Sequence, residues 1–151
     1  MSSTPRYDLR IEYSATWGGL RSGKAADAPE GTFTAVTTGK WHSCGLRTDA
    51  TITCWGRNAA GQTDAPSGTF TAITTAELHT CGLRTDATIT CWGRNAAGQT
   101  DAPSGTFTAI TTAELHTCGL RTDATITCWG WNAYGQTDAP SGTASSTGGC
   151  K

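Results

Sequence analysis

The sequence predicts an all-β repeat protein of the β-propeller type, on the strength of its period, its composition and its lack of helical patterning. Three near-copies of a 37-residue unit occupy residues 27–63, 64–100 and 101–137. A fixed period of this length indicates that one supersecondary unit packs against its neighbours. Threonine, which favours strands, recurs throughout each copy. No stretch has apolar residues at helical spacing, so we expect almost no helix.

Each unit predicts three short strands, seen most clearly in the second copy. Residues 70–75 (FTAITT), 79–84 (HTCGLR) and 88–92 (TITCW) have strand-type alternation. A tight connection follows the second strand, and a glycine-containing loop follows the third. The linking sequence TDAPSG at 100–105 leaves room for a short fourth strand. Three or four strands per unit are typical of a propeller blade; the competing architecture is a β-solenoid, whose coils are usually shorter.

The repeats predict the organisation of the whole chain. Residues 1–26 contain a degenerate partial repeat, IEYSATWG at 11–18, and residues 138–151 form a terminal link and flexible tail. Three complete blades and a fragment predict an open arc, or a ring completed by oligomerisation.

Composition excludes several classes of protein. The 151 residues carry a net charge of −1, whereas nucleic-acid-binding proteins usually have an excess of basic residues on one face. No apolar run approaches the roughly 20 residues of a membrane span, and residues 1–13 lack the apolar core of a signal peptide. We therefore expect no nucleic-acid or membrane partner and no cofactor.

A recurring motif links the units to a known family. HTCGL at 79–83, followed by CWG at 91–93 and GQ at 98–99, resembles the regulator of chromosome condensation repeat, most closely its cysteine-bearing bacterial type. The same pattern recurs in phase in the other copies. The resemblance implies a β-propeller, usually of seven blades, that offers a surface for protein–protein interaction. One departure is the hairpin turn, where Asp-Ala at 86–87 replaces the usual Asp-Gly, so the turn is of another type or is strained.

Six of the seven cysteines fall into pairs whose members lie ten residues apart around a predicted hairpin turn. Residues that face each other across two strands can approach disulfide geometry, so we predict one disulfide per unit. The pairs are Cys44/Cys54, Cys81/Cys91 and Cys118/Cys128. The alternatives are buried thiols or a zinc site of His79, Cys81 and Cys91, which lacks an obvious fourth ligand. Paired cysteines favour an extracellular or periplasmic location; Cys150 is left over.

Residues that recur in every unit and residues that change between units lead to two further predictions. Structural roles are predicted for the histidine and tryptophan of each unit: His42, His79, His116, Trp55, Trp92 and Trp129. The positions that change between copies give candidate binding residues, because exposed loop aromatics often anchor interfaces. Those candidates are Trp41, Arg57, Arg94, Trp131 and Tyr134; neutral drift between duplicates is the alternative explanation.

The repetition also bears on function. The same histidine, aspartate, serine and threonine residues recur in every unit, whereas an active site needs one distinct constellation. We therefore expect a non-enzymatic binding or scaffold module with a protein partner of unknown identity. The alternatives are a carbohydrate-binding propeller lectin, with one shallow site per blade, and a self-assembling fragment of a larger propeller that forms a homo-oligomer.

Overall fold

The computed structural model describes residues 27–142, which form three successive antiparallel sheets of three strands each. Within this range there is no helix, the sheets do not close into a ring, and no segment could cross a membrane as a helix. The all-β propeller-type prediction is confirmed, while the predicted partial repeat at 1–26, most of the predicted tail and Cys150 lie outside the described residues. The strands of sheet 1 are β1 (Phe33–Thr38), β2 (His42–Arg47) and β3 (Ile52–Gly56); those of sheet 2 are β4 (Phe70–Thr75), β5 (His79–Arg84) and β6 (Ile89–Gly93); those of sheet 3 are β7 (Phe107–Thr112), β8 (His116–Arg121) and β9 (Ile126–Gly130).

The strand positions follow the sequence pattern closely. The third strand of each sheet begins and ends one residue later than predicted. The optional fourth strand does not form, and residues 100–105 run as an irregular link. Pro103 lies in this link and has no backbone N–H to offer a strand ladder. Each sheet therefore has three strands.

The first strand of each sheet contains an irregularity that decides which side chains face which neighbour. In β4 the register shifts between Phe70 and Ala72. Phe70 and Ile73 consequently pack towards sheet 1, whereas Ala72 packs towards sheet 3. A regular strand would put Phe70 and Ala72 on one face, because strand side chains alternate.

The hydrophobic core lies between successive sheets. The first core cluster joins the second and third strands of sheet 1 to Phe70 and Trp92 of sheet 2, and the second repeats this arrangement between sheets 2 and 3. Phe70 and Phe107 are each only 1% exposed. The Phe70 ring lies directly over Gly82, where an added Cβ would approach the ring to within 2.6 Å. Glycine is thus required in the middle of β5 to admit the aromatic ring.

The hairpin turns contain alanine in a left-handed conformation. Ala50, Ala87 and Ala124 have φ values of 70°, 71° and 70°. In sheet 2 the Ala87 N–H donates to the Arg84 carbonyl at 2.9 Å, and the Arg84 N–H donates to the Thr88 carbonyl at 2.8 Å. This is a three-residue hairpin loop whose last residue normally favours glycine. Of the two alternatives left open by the Asp-Ala sequence, the structure has the strained one.

We expect Ala87→Gly to stabilise the protein by about 1 kcal/mol. Glycine removes the strain of the left-handed conformation, about 1–2 kcal/mol, but it also raises the conformational entropy of the unfolded chain, which offsets part of that gain. The matched control is Ala96→Gly, at an exposed loop position whose φ is not positive. That change should leave stability unaltered or lower it. Urea unfolding of both variants tests this; a lower midpoint for Ala87→Gly would contradict it.

Candidate functional site

One edge of the array collects loops that carry four of the eight differences between neighbouring copies. The Arg57 N–H donates to the Trp41 carbonyl at 2.9 Å, so the residue that follows β3 lies beside the residue that precedes β2. Arg94 and Trp131 form the same backbone bond in sheets 2 and 3, each at 2.8 Å. We call this edge the loop rim. Its residues are Lys40, Trp41, Arg57, Glu77, Leu78, Arg94, Glu114, Leu115, Trp131 and Tyr134.

Side-chain hydrogen bonds shape the loops that carry the rim. Asn58 accepts a hydrogen bond from the Thr63 N–H at 2.9 Å and donates to an Asp64 carboxylate oxygen at 2.8 Å. The Gln62 side-chain carbonyl accepts from the Ala60 N–H at 2.9 Å. The same bonds recur in the other two loops. The rim side chains therefore project from loops of one shared conformation.

At the sheet 1 end of the rim, two cations lie close to the Trp41 ring. The Lys40 ammonium is 5.2 Å and the Arg57 guanidinium 5.7 Å from the ring centroid, within the range of cation–π attraction. The Trp41 indole N–H donates to Glu77 at 3.4 Å, and Lys40 forms an ion pair with the same carboxylate at 3.3 Å. The hydrogen bond from Trp41, and then Lys40, lower the pKa of Glu77. The Trp41 ring remains 41% exposed.

At the sheet 3 end, Trp131 and Tyr134 form an edge-to-face pair with centroids 5.4 Å apart. They are 38% and 86% exposed. A shallow depression between the two ends is lined by Glu77, Leu78, Arg94, Glu114 and Leu115. All five predicted binding residues thus lie on one edge, with aromatic groups at both ends and charged groups between them. That these residues bind a partner stays a prediction.

Two of the predicted structural histidines, His42 and His79, form part of a buried polar network between the sheets, whereas His116 is only partly buried and has no third interface in residues 27–142 to join. His42 Nε2 lies 2.7 Å from the Thr80 hydroxyl, which itself donates to the Gln62 backbone carbonyl at 3.1 Å. Because the Thr80 proton is used in that bond, its oxygen accepts from His42 Nε2–H. His79, Thr117 and Gln99 repeat the arrangement.

This network keeps its histidines neutral. The Nδ1 atoms of His42 and His79 are buried without a hydrogen-bond partner among residues 27–142. A proton on either atom would place a charge in a desolvated environment. Burial lowers the pKa of His42, and burial followed by the nearby His42 and His116 lowers the pKa of His79 to about 4.

The tryptophans of the CWG motif join the same network. Trp92 donates its indole N–H to the Gln62 carbonyl at 3.0 Å, and Trp129 does so to Gln99. Trp55 is only partly buried. The glutamine carbonyls and the threonines at 80 and 117 were not predicted from the sequence. The strict recurrence of GQ was the available signal, but the acceptor is a backbone atom that residue type does not reveal.

The three predicted disulfides are confirmed, at Cys44–Cys54, Cys81–Cys91 and Cys118–Cys128. Paired Cα atoms lie 4.0 Å apart on directly opposed positions of neighbouring strands. The buried-thiol alternative is therefore wrong, and these sulfurs are bonded to one another rather than available as zinc ligands. Within the described range, no group of three or more His, Cys, Asp or Glu side chains is placed to hold a metal ion.

Comparison with protein families gives three matches within the chain. The model described as the regulator of chromosome condensation (RCC1) repeat matches residues 33–62, 77–99 and 114–136. These three segments together cover half of the chain. Among curated proteins none matches this sequence.

Several solved structures share the fold. The chain is 34% identical to the ectodomain of the receptor kinase CR4 from Physcomitrella patens, with a TM-score of 0.63 over 70% of this chain and 31% of that one. It is 27% identical to the ectodomain of the receptor kinase ACR4 from Arabidopsis thaliana, with a TM-score of 0.57 over 68% of this chain and 38% of that one. For Prp20p from Saccharomyces cerevisiae the identity is 17% and the TM-score 0.59, over 72% and 33%. The chain spans about a third of the length of these structures.

Proposed function

The chain belongs to the regulator of chromosome condensation (RCC1) repeat family, and from that premise we propose that it is a non-enzymatic protein-interaction module whose contact surface is the loop rim. One observation carries the assignment to the rim. Eight positions vary between neighbouring copies, and four of them lie in the loop rim. The changes place Trp41, Trp131 and Tyr134 at its two ends, and partly exposed aromatic residues are frequent anchors of protein interfaces.

The nature of the partner is inferred from the charges and from the family. The rim mixes Lys40, Arg57 and Arg94 with Glu77 and Glu114, which suits a protein surface of mixed charge better than a polyanion. Prp20p has been described for its binding to Gsp1p and histones, and in another crystal structure it is bound to Kap60. Those partners belong to Prp20p; for this chain the inference extends only to protein as the class of partner.

The distribution of aromatic residues argues against a lectin with one sugar site per blade. Tyr134 corresponds to Ala60 and Ala97, and Trp131 corresponds to Arg57 and Arg94. A sugar site built from the loop aromatics could therefore form in sheet 3 but would not repeat in the other sheets. The unequal loops favour one extended contact surface.

We further propose that the protein works in an oxidising compartment, extracellular or periplasmic. Three disulfides in residues 27–142 are consistent with that environment, because the reducing cytosol disfavours persistent disulfides.

The test is a pair of arrays, one of folded extracellular and periplasmic proteins and one of glycans, probed with the same labelled chain. The double variant Trp131→Ala/Tyr134→Ala removes the exposed aromatic pair and should lower binding to the protein array at least tenfold. The matched control is Ser104→Ala, an exposed position near the hairpin turns at the opposite edge, which should bind like the original chain. Binding to glycans alone, or protein binding that both variants retain, would contradict the proposal.

A further inference from the structure

Each sheet has two chemically different faces. The forward face, which packs on the next sheet, carries Cys44, Leu46 and Ile52 in sheet 1. The backward face, which packs on the previous sheet, carries Phe70, Ile73 and Trp92 in sheet 2. The second interface repeats these pairings with the equivalent residues. Every contact between sheets is thus a forward face against a backward face.

Among residues 27–142, one face of each kind has no sheet against it. The forward face of sheet 3 presents Cys118, Leu120 and Ile126, and the backward face of sheet 1 presents Phe33, Val36 and Trp55. Ile126 is 39% exposed, whereas its counterparts Ile52 and Ile89 are 9% and 8% exposed. Val36 is 47% exposed, although its counterpart Ile73 packs against the first core.

We propose that two copies of this chain pack head to tail, the forward face of sheet 3 in each copy against the backward face of sheet 1 in the other. The two internal interfaces of the chain indicate what covers each face, because both of them already join a forward face to a backward face. Phe33 and Trp55 repeat the residue types of the backward face of sheet 2, and Val36 differs from Ile73 by one methylene.

The polar groups at these two faces also match those of the internal interfaces. Ser43 occupies the position of Thr80 and Thr117, so its hydroxyl can accept from His116 of the second copy. Across the first interface the hydroxyls of Thr37 and Thr75 are 2.9 Å apart. The equivalent pair across the proposed contact is Thr111 of one copy and Thr38 of the other. The Phe70 N–H donates to the Ala50 carbonyl at 2.8 Å across the first interface. Phe33 N–H and the Ala124 carbonyl are the corresponding groups between copies.

The charges at the rim favour the contact between copies. Within one chain, Lys40 forms an ion pair with Glu77 across the first interface, and two glutamates, Glu77 and Glu114, occupy this position across the second. Across the proposed contact, Glu114 of one copy faces Lys40 of the other. Opposite charges therefore meet there, which supports this register of the two faces.

The number of sheets sets the size of the assembly. Propellers close with four to eight blades, and two copies of the three sheets formed by residues 27–142 supply six. A head-to-tail contact of this kind gives a closed ring when its rotation returns to the start. The proposed assembly is therefore a dimer with twice the 15.7 kDa mass of one chain. The contact uses Lys40 and Glu114 at the ends of the loop rim, but it does not rest on the identity of the partner that the rim binds.

Light scattering on the full chain at micromolar concentration should give the dimer mass. Ile126→Asp disables the forward face and Val36→Asp the backward face, and each variant alone should be monomeric. Mixed together they retain one intact pair of faces, so they should form a heterodimer. Ser104→Asp adds the same charge at an exposed site in the link between sheets 2 and 3 and should stay dimeric. Circular dichroism checks that all variants remain folded.

A cross-link tests the register separately. In a Cys150→Ser background, Thr38→Cys with Thr111→Cys should give a disulfide-linked dimer, whereas either change alone should not. A monomeric original chain, including one whose residues 1–26 cover the backward face, overturns the proposal. So does an assembly that survives Ile126→Asp, or one whose paired cysteines do not cross-link.

Discussion

Reduction of the three disulfides is expected to unfold the repeat array under conditions in which the oxidised protein is fully folded. Each bridge joins residues ten apart, and a loop of that size is stabilised by about 3 kcal/mol in the chain-entropy model. Three such bridges contribute about 9 kcal/mol, which is comparable with the whole stability of a typical domain, about 5–15 kcal/mol. Urea unfolding with and without reductant, followed by circular dichroism, measures the difference.

Two controls make this result specific. Cys81→Ala/Cys91→Ala removes one bridge and should cost about a third of the full effect, whereas Cys150→Ser should leave the urea midpoint unchanged. Thiol titration of the denatured, unreduced protein should find one free thiol of the seven cysteines. Seven free thiols, or a reduced protein as stable as the oxidised one, would refute the disulfide assignment and the proposed oxidising compartment.

Acidification is expected to lower the free energy of unfolding by about 3 kcal/mol between pH 7 and pH 4 through His79 alone. The pKa of His79 is lowered to about 4 in the folded protein, first by burial, while an unfolded histidine has a pKa near 6.5. Between these values the unfolded chain binds a proton that the folded chain does not. Stability is therefore complete above pH 6.5 and is lost as the pH falls towards 4. His42, whose pKa is also lowered, adds a change of the same sign.

The carboxylates respond in a different pH range, which keeps the two effects apart. Hydrogen bonds from the threonines two residues later lower the pKa values of Asp49, Asp86 and Asp123 below their usual 3.8. Their contribution to stability is present above that value and is lost only at lower pH. Urea midpoints at pH 7.0 and pH 4.5 should differ clearly for the original chain and much less for His79→Gln, which cannot titrate. An equal pH dependence in both proteins would show that His79 is not the responsible group.

Local patterns in the sequence were sufficient to predict the strands and the disulfides. Alternation sets which residues of a strand share a face, and a spacing of ten around a short turn sets Cys81 opposite Cys91. The register shift at Phe70 could not be anticipated in this way, because it depends on which neighbouring sheet the ring must reach. The strain at Ala87 was left as one of two alternatives for the same reason: residue type shows that the left-handed conformation is unfavourable, but not that packing imposes it.

The candidate site was less accessible to sequence reasoning than the fold. Differences between copies led to Trp41, Arg57, Arg94, Trp131 and Tyr134, and the structure places all of them on one edge. The carboxylate that joins two of the sheets there, Glu77, was not selected, because its bonds to Lys40 and Trp41 cross between units 37 residues apart. The Gln62 carbonyl was not predicted for the same reason: it accepts hydrogen bonds from Thr80 and Trp92, which belong to the next unit.

The carbonyls of Gln62 and Gln99 have a consequence for how such a chain can change length. At both junctions within residues 27–142, a glutamine carbonyl of one unit accepts from a threonine hydroxyl and a tryptophan N–H of the unit that follows. An in-frame duplication or deletion of one whole unit therefore leaves every remaining junction with a matched donor and acceptor. A breakpoint inside a unit, in contrast, would leave a tryptophan N–H and a threonine hydroxyl in the interior without their acceptor.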